Sequence, residues 1–98
     1  MITRMIVVTV PKDKTAEAES IWKAECAPIM IQQPGCKSEE FLRSRDNPGE
    51  LISLQTWQDE KSIDQYRAGP GHQEILRHTR GLISDFVMFH FDFRDGHG

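Results

Sequence analysis

The stretch CKSEEFLRSRDNPGELISLQTW, residues 36–57, predicts a β-hairpin, and the rest of the fold can be worked out from it. Two segments with strand-forming residues, 36–45 and 50–57, are separated by the turn sequence DNPG. Pro48 followed by Gly49 is typical of a type II turn, in which glycine adopts the positive φ that other residues avoid. We therefore expect the two segments to pair as antiparallel neighbours.

A strand and a helix are predicted before the hairpin. Residues 1–10, MITRMIVVTV, are rich in β-branched side chains and end at a proline, as a strand would. Residues 14–33 carry apolar side chains, Trp22 among them, at helical spacing. Pro28 should kink this helix because it cannot donate a backbone hydrogen bond, and Gly35 should help to end it.

Two short helices and a strand are predicted after the hairpin. The sequence GPG at 69–71 separates a helix over 59–68 from a second helix that starts near residue 72, and residues 84–93 form a strongly β-favouring segment. The order β-α-β-β-α-β, with the second helix split, predicts an α+β, ferredoxin-like sandwich. Residues 1–94 are expected to form its single domain, and residues 95–98 a flexible tail.

Both faces of the first and last predicted strands are apolar. In the first strand Ile6 and Val8 point one way while Met5 and Val7 point the other, and the last strand has the same two-sided character. Helices can cover only one face of such a sheet, so a second copy of the chain should cover the other. The sequence therefore predicts a homodimer in which two sheets pack face to face.

Composition excludes several classes of function. The formal charge is −3 and the basic residues are scattered, which argues against nucleic-acid binding, and the third strand lacks the basic-aromatic motif of RNA-binding domains. The two cysteines, Cys26 and Cys36, have neither metal-binding nor disulfide spacing. No segment resembles a signal peptide or a membrane span, so a cytoplasmic protein is expected.

Tyr66 and His72 are the first candidates for chemistry, since both should face inward on either side of the GPG break. His72 lies in the first turn of its helix, where the positive end of the dipole disfavours imidazolium and keeps the ring neutral. Each residue also has a purely structural interpretation. His72 would then be a hydrogen-bonded histidine at a pocket rim, and Tyr66 would be packed in the core.

Trp57, Ser53 and Gln55 share one face of the third strand, and this mixture of polar and apolar side chains is typical of a pocket lining. The alternative for Trp57 is a simple cover over the core. Ile52 and Leu54, on the opposite face, are expected to be core.

The sequence gives little support for a metal site. His72 and His78 lie on different sides of their helix, and His78 is expected to be exposed. His90 and Asp92 share a strand face but need a third ligand. No metal and no cofactor are predicted.

Several motifs together resemble the antibiotic biosynthesis monooxygenase (ABM) superfamily across residues 2–93. These are PGC at 34–36 after a long helix, NPGE in a hairpin, and a strand-ending Trp57 followed by DEKSIDQYRAGPGH. The resemblance implies a dimeric α/β barrel. It also implies O2 chemistry without metal or flavin in some members, in which the deprotonated substrate supplies the electrons.

On that resemblance, His72 is the expected base, Tyr66 a donor to the substrate oxyanion, and Trp22 and Trp57 stacking partners for an aromatic ring. Anthrone-type members have an asparagine and a tyrosine at the positions of Ser53 and Ile63, so that constellation is absent. Haem degradation is disfavoured because the only asparagine, Asn47, lies in the hairpin turn.

Two functions remain open at this point. One is a cofactor-independent monooxygenase acting on a hydroquinone, naphthol or anthrone. The other is a non-catalytic dimeric module that binds a small ligand or assists a partner enzyme.

Overall fold

The computed structural model describes residues 1–93 and contains one four-stranded antiparallel sheet with helices on one face. The spatial strand order is β2-β3-β1-β4, with β1 and β3 in the middle. The predicted α+β, ferredoxin-like order is confirmed; the expected tail, 95–98, lies outside the described residues. In chain order, the elements are β1 (Ile2–Thr9), α1 (Thr15–Ile21), a π turn (Trp22–Cys26), α2 (Ala27–Ile31), β2 (Cys36–Arg43), β3 (Glu50–Trp57), α3 (Glu60–Ala68), α4 (Pro70–Thr79) and β4 (Asp85–Asp92).

The predicted hairpin is formed by β2 and β3. Its turn closes with a hydrogen bond from the Glu50 amide to the Asn47 carbonyl at 3.1 Å, and Gly49 has the positive φ of 88° that the turn requires. β3 also pairs with β1 in a register that places Gln55 opposite Arg4 and Ser53 opposite Ile6. The hairpin therefore positions polar residues of β3 beside the central strand.

The first helical segment is interrupted where Pro28 was expected to distort it. Pro28 has no amide hydrogen and its ring crowds the carbonyl four residues earlier, so a regular α-helix cannot pass through it. The chain responds with the π turn just before the proline, in which the Ala27 amide donates to the Trp22 carbonyl five residues back. This turn keeps Trp22 and Cys26 directed into the core.

The second helical region is split, as predicted. Asp59 caps α3 by accepting from the Ser62 amide at 2.8 Å, and α3 ends at Ala68, with Gly69 as its C-cap. α4 begins at Pro70, a favoured first position, so His72 lies in its first turn. The break holds the end of α3 and the start of α4 close together.

The main core lies between the helices and the sheet, and its members are contributed by all layers of the fold. Trp57 and Cys26 are fully buried there, and burial raises the pKa of the Cys26 thiol to about 12. The remaining buried members are Trp22, Met30, Ile63, Tyr66 and Ile75.

The other face of the sheet has no helices and is apolar. Ile52 and Leu54 lie on this outer face and are only half-buried, so the expectation that they belong to the core is wrong for the single chain. The same register places further apolar side chains beside them on this face: Met5, Val7, Leu42, Val87, Phe89 and Phe91.

Within residues 1–93, none of the helices has the length and apolar character needed to span a bilayer.

Candidate functional site

A cavity of about 350 Å³ lies between the helices and the inner face of the sheet. This volume is within the range of small-molecule sites, and the wall is mostly apolar with a few polar groups. The polar side chains in the wall come from Arg4, Ser53, Tyr66, Arg67, His72 and Thr79. The main apolar ones come from Ile6, Val8, Trp22, Phe41, Ile75, Leu76, Phe86 and Met88.

Tyr66 and His72 meet in the wall of this cavity. The His72 Nδ1 atom lies 3.4 Å from the Tyr66 hydroxyl, and the two rings are edge-to-face with centroids 5.3 Å apart. They come together because each lies within a few residues of the Gly69–Pro70 break between α3 and α4. The expectation that both face inward beside the break therefore agrees with the structure, while their chemical roles stay predictions.

Both residues are neutral near pH 7. Burial lowers the pKa of His72 from 6.5, and the positive charges of Arg4 and Arg67 lower it further. Burial also raises the pKa of Tyr66 to about 12, against the opposing effect of the Arg4 charge. The site thus combines a free imidazole that can accept a proton with a hydroxyl that stays a donor.

A chain of buried hydrogen bonds leads from the cavity wall into the sheet. Arg4 Nη1 and Trp57 Nε1 both donate to Gln55 Oε1, at 3.1 and 3.0 Å. Gln55 Nε2 then donates to the Ser53 hydroxyl at 2.8 Å. Gln55 and Trp57 are 0% exposed and do not line the cavity; they lie behind its wall and fix the position of Arg4.

The chain ends at a partly buried carboxylate, Glu39. The Ser53 hydroxyl donates to Glu39 Oε1 at 3.1 Å, and Trp22 Nε1 donates to the same oxygen at 2.9 Å. Burial raises the pKa of Glu39 to about 7, although both hydrogen bonds and the Arg4 charge oppose this. Trp22 also stacks on Phe41 with centroids 5.9 Å apart, so its indole is held as part of the cavity wall.

The predicted ligand-contacting residues therefore divide into two groups. Trp22 and Ser53 lie in the wall with Tyr66 and His72, whereas Gln55 and Trp57 support it from behind. Trp57 contacts the Tyr66 ring at a centroid distance of 5.4 Å and is part of the core.

Sequence reasoning missed Arg4 and Glu39. A signal was present for Arg4, because it occupies an inward position between Ile2 and Ile6 in a strand whose inward side chains are otherwise apolar. Glu39 is directly opposite Gln55, a pairing that becomes visible only once the hairpin register is known.

His78, expected to be exposed, is partly buried. Its side chain is 29% exposed, and Nε2 lies 3.2 Å from Glu74 Oε1. Glu74 lies four residues earlier on the same helix, one turn away, so the contact is local.

His90 and Asp92 border a second, smaller cavity of about 290 Å³ together with Glu60 and Asp64. In the part of the chain from residue 1 to 93, no group of three or more His, Cys, Asp or Glu residues is arranged to hold a metal ion.

Comparisons with known proteins agree with this geometry. The family model for antibiotic biosynthesis monooxygenases matches residues 1–78. SnoaB, a cofactor-independent oxygenase from Streptomyces nogalater, is similar in structure with a TM-score of 0.81 and 25% identity, over 96% of this chain and 93% of that one. A comparison with curated proteins gives no match.

Two more distant solved structures share the fold. A conserved protein from Methanosarcina mazei has a TM-score of 0.81 at 20% identity, over 96% of this chain and 94% of that one. A protein from Mycobacterium tuberculosis has a TM-score of 0.78 at 17% identity, over 96% and 95%.

Proposed function

Since the chain belongs to the antibiotic biosynthesis monooxygenase family, we propose that it is a cofactor-independent monooxygenase that oxidises a small aromatic with O2. The substrate would be a hydroquinone, naphthol or anthrone. The observation that carries this proposal is the 350 Å³ cavity in which a neutral His72 and a protonated Tyr66 lie 3.4 Å apart. The likeness to SnoaB, described as a cofactor-independent oxygenase, supports it.

In this mechanism His72 removes the phenolic proton of the substrate. The reactive tautomer carries its hydrogen on Nδ1, where it is directed to the Tyr66 oxygen. The Nε2 lone pair is then free to accept the phenolic proton of the substrate. A low pKa for His72 keeps most of the imidazole in the basic form at neutral pH.

Tyr66 then stabilises the substrate oxyanion. With its oxygen accepting from His72, the Tyr66 hydroxyl is free to donate to the new negative charge in a mostly apolar site. The electron-rich anion supplies the electrons for O2. One oxygen atom enters the product and the other leaves as water with the two hydrogens that the substrate loses.

The remaining predicted residues hold the ring. We assign Trp22 and Ser53 to direct contact with the substrate, because both line the cavity. Gln55 and Trp57 act through them and through Tyr66, since both are fully buried behind the wall.

We also infer that the active form is a homodimer joined through the outer face of the sheet. Val87, Phe89 and Phe91 are 44–50% exposed there, and Leu42 is 44% exposed, which forms an apolar patch of a kind that isolated soluble chains rarely expose. Light scattering should give the mass of two chains, and Phe89→Glu should give one. Phe86→Glu, on the cavity side of the same strand, is the control and should leave the dimer intact.

The test of the activity is oxygen consumption by metal-stripped protein with hydroquinones, naphthols and anthrone. His72→Ala should abolish uptake, because the base is lost, and Tyr66→Phe should lower it by about 10²–10³-fold, as for loss of one oxyanion donor. His78→Ala is the matched control, a histidine of the same helix outside the cavity wall. Uptake that survives His72→Ala would refute the assignment of the base.

The second candidate is a non-catalytic module that binds a small aromatic. The observation favouring it is Ser53, a short hydroxyl at the position where the family resemblance implies a catalytic asparagine. Saturable binding of a naphthol without oxygen uptake by any variant would establish this function instead.

A further inference from the structure

Arg4 is an unusual component of the cavity wall because its charge is almost completely buried. Its side chain is 1% exposed and projects from the central strand into a wall that is otherwise mostly apolar. Removing a guanidinium from water is costly unless opposite charge or several hydrogen bonds compensate. The buried charge of Arg4 therefore needs a compensating partner.

The described residues compensate only part of this cost, since Tyr66 and the Glu39 charge favour the charged form of Arg4 but burial still lowers its pKa. Arg4 donates one hydrogen bond, to Gln55 Oε1 at 3.1 Å, and makes none of the salt bridges found among residues 1–93. Its Nε atom is buried without a partner, the sole such side-chain atom in that range. Glu39, the partly buried carboxylate at the end of the hydrogen-bond chain, is separated from it by Gln55 and Ser53.

The guanidinium of Arg4, with its unused N–H donors, lies near Tyr66 and His72. The guanidinium carbon is 5.7 Å from the centre of the Tyr66 ring, and Tyr66 in turn contacts His72. A guanidinium carries five N–H donors in a planar fork suited to an oxyanion. One substrate oxygen can thus be within reach of Arg4 and Tyr66 together.

We propose that the cavity binds its aromatic ligand as the phenolate anion and that Arg4 is the counterion. This rests on the proposed function and deepens it by naming Arg4 as the residue that selects the anionic form of a hydroxylated aromatic. The hydroxyl proton leaves through His72 to solvent, so each bound anion releases one proton below the ligand's own pKa. No redox step is involved in this binding.

Arg4 should also determine specificity. An opposite charge in direct contact lowers the pKa of an acid by about 1–3 units, so the ligand should ionise 10- to 1,000-fold more readily in the cavity than in water. A neutral ring of the same shape leaves the guanidinium uncompensated and should bind at least tenfold more weakly. The cavity therefore selects by charge as well as by shape.

The experiment is an anaerobic absorbance titration of 1-naphthol bound to the protein, with 1-methylnaphthalene as the neutral isostere. The bound naphthol should ionise at least one pH unit below free naphthol. Arg4→Met should remove that shift, and Arg4→Lys, which retains a positive charge, should keep part of it. Arg43→Gln is the matched control, because it removes an exposed cation that does not line the cavity and should leave the shift unchanged.

Three results would overturn the proposal. The first is a bound naphthol that ionises in the parent protein at the same pH as free naphthol. The second is a lowered ionisation pH that persists in a folded Arg4→Met protein. The third is Arg4-dependent binding of 1-naphthoate in preference to naphthol, with no ionisation of the bound naphthol. The parent titration needs no variant, so a misfolded Arg4→Met cannot leave the question open. Oxygen uptake without any ionisation shift would refute this inference alone, and a shift without uptake would refute the monooxygenase alone.

Discussion

Glu39→Gln should make the protein more stable at pH 8 and leave its stability nearly unchanged at pH 4. The glutamine keeps an oxygen that can accept from Trp22 Nε1 and the Ser53 hydroxyl, at present 2.9 and 3.1 Å from Glu39 Oε1. The substitution therefore removes the ionisable group and preserves both hydrogen bonds. What changes is the cost of burying a carboxylate charge.

The magnitude follows from the two pKa values of Glu39. Burial raises its pKa from 4.5 in the unfolded chain to about 7 in the folded protein. Between these values the unfolded chain releases the proton while the folded protein holds it, so the free energy of unfolding falls as pH rises. The contribution is fully present below pH 4.5 and lost above pH 7. At about 1.4 kcal/mol per unit, the loss is about 3 kcal/mol at most.

The assay is urea denaturation of both proteins at several pH values between 4 and 8, at one fixed protein concentration because a dimer's stability depends on it. The difference in the free energy of unfolding should grow across this range. Glu17→Gln is the control, since it removes the same group from an exposed position in the first turn of α1 and does not contribute to the pKa of Glu39. A difference that is equal at pH 5 and pH 8 would show that Glu39 is not desolvated as described.

Three further predictions concern the cavity and the turn at Gly35. Oxygen uptake should rise with pH through the pKa of His72, which lies below 6.5, and level off above that pKa. Arg67→Gln should move the inflection to higher pH, because it removes a positive charge that disfavours the imidazolium; a shift to lower pH would contradict this. Arg4→Met should leave the free energy of unfolding of the ligand-free protein unchanged or raise it by about 1–4 kcal/mol, since the buried charge is removed at the cost of one hydrogen bond. Urea denaturation measures this change, and a decrease of more than about 2 kcal/mol would refute the prediction. Gly35→Ala should lower the free energy of unfolding by about 1–3 kcal/mol and lower the melting temperature, because Gly35 has a φ of 87° and an added Cβ would collide with the Ser62 side chain. An unchanged melting temperature would contradict this prediction.

The order of elements could be predicted from the sequence because it rests on local signals. The Pro48–Gly49 turn, the GPG break and the alternation of apolar residues each act over a few positions. The contact between Tyr66 and His72 is also local, since the two residues are six positions apart in the sequence, on either side of one break. These parts of the structure are accordingly the ones that sequence reasoning reached.

The polar centre of the site depends on pairing between distant strands and was missed. Arg4 meets Gln55 because β1 and β3 are neighbours in a particular register, and Glu39 meets Gln55 because of the register of β2. A shift of one residue in either pairing would move these side chains to the outer face. Register also explains the error for Ile52 and Leu54, whose apolar character indicates burial without saying on which face.

The π turn at Trp22–Cys26 has a consequence for how the chain length can vary. The buried residues Ala18, Trp22, Cys26 and Met30 recur at every fourth position, a spacing that drifts around a regular α-helix but fits the wider turn. Deleting Lys23, which is exposed, would change the spacing to four, three and four, which suits an uninterrupted α-helix once Pro28 is also replaced by alanine. With that replacement the fold should accept the loss of one residue here, while one more residue added to the π turn would direct Met30 away from the core.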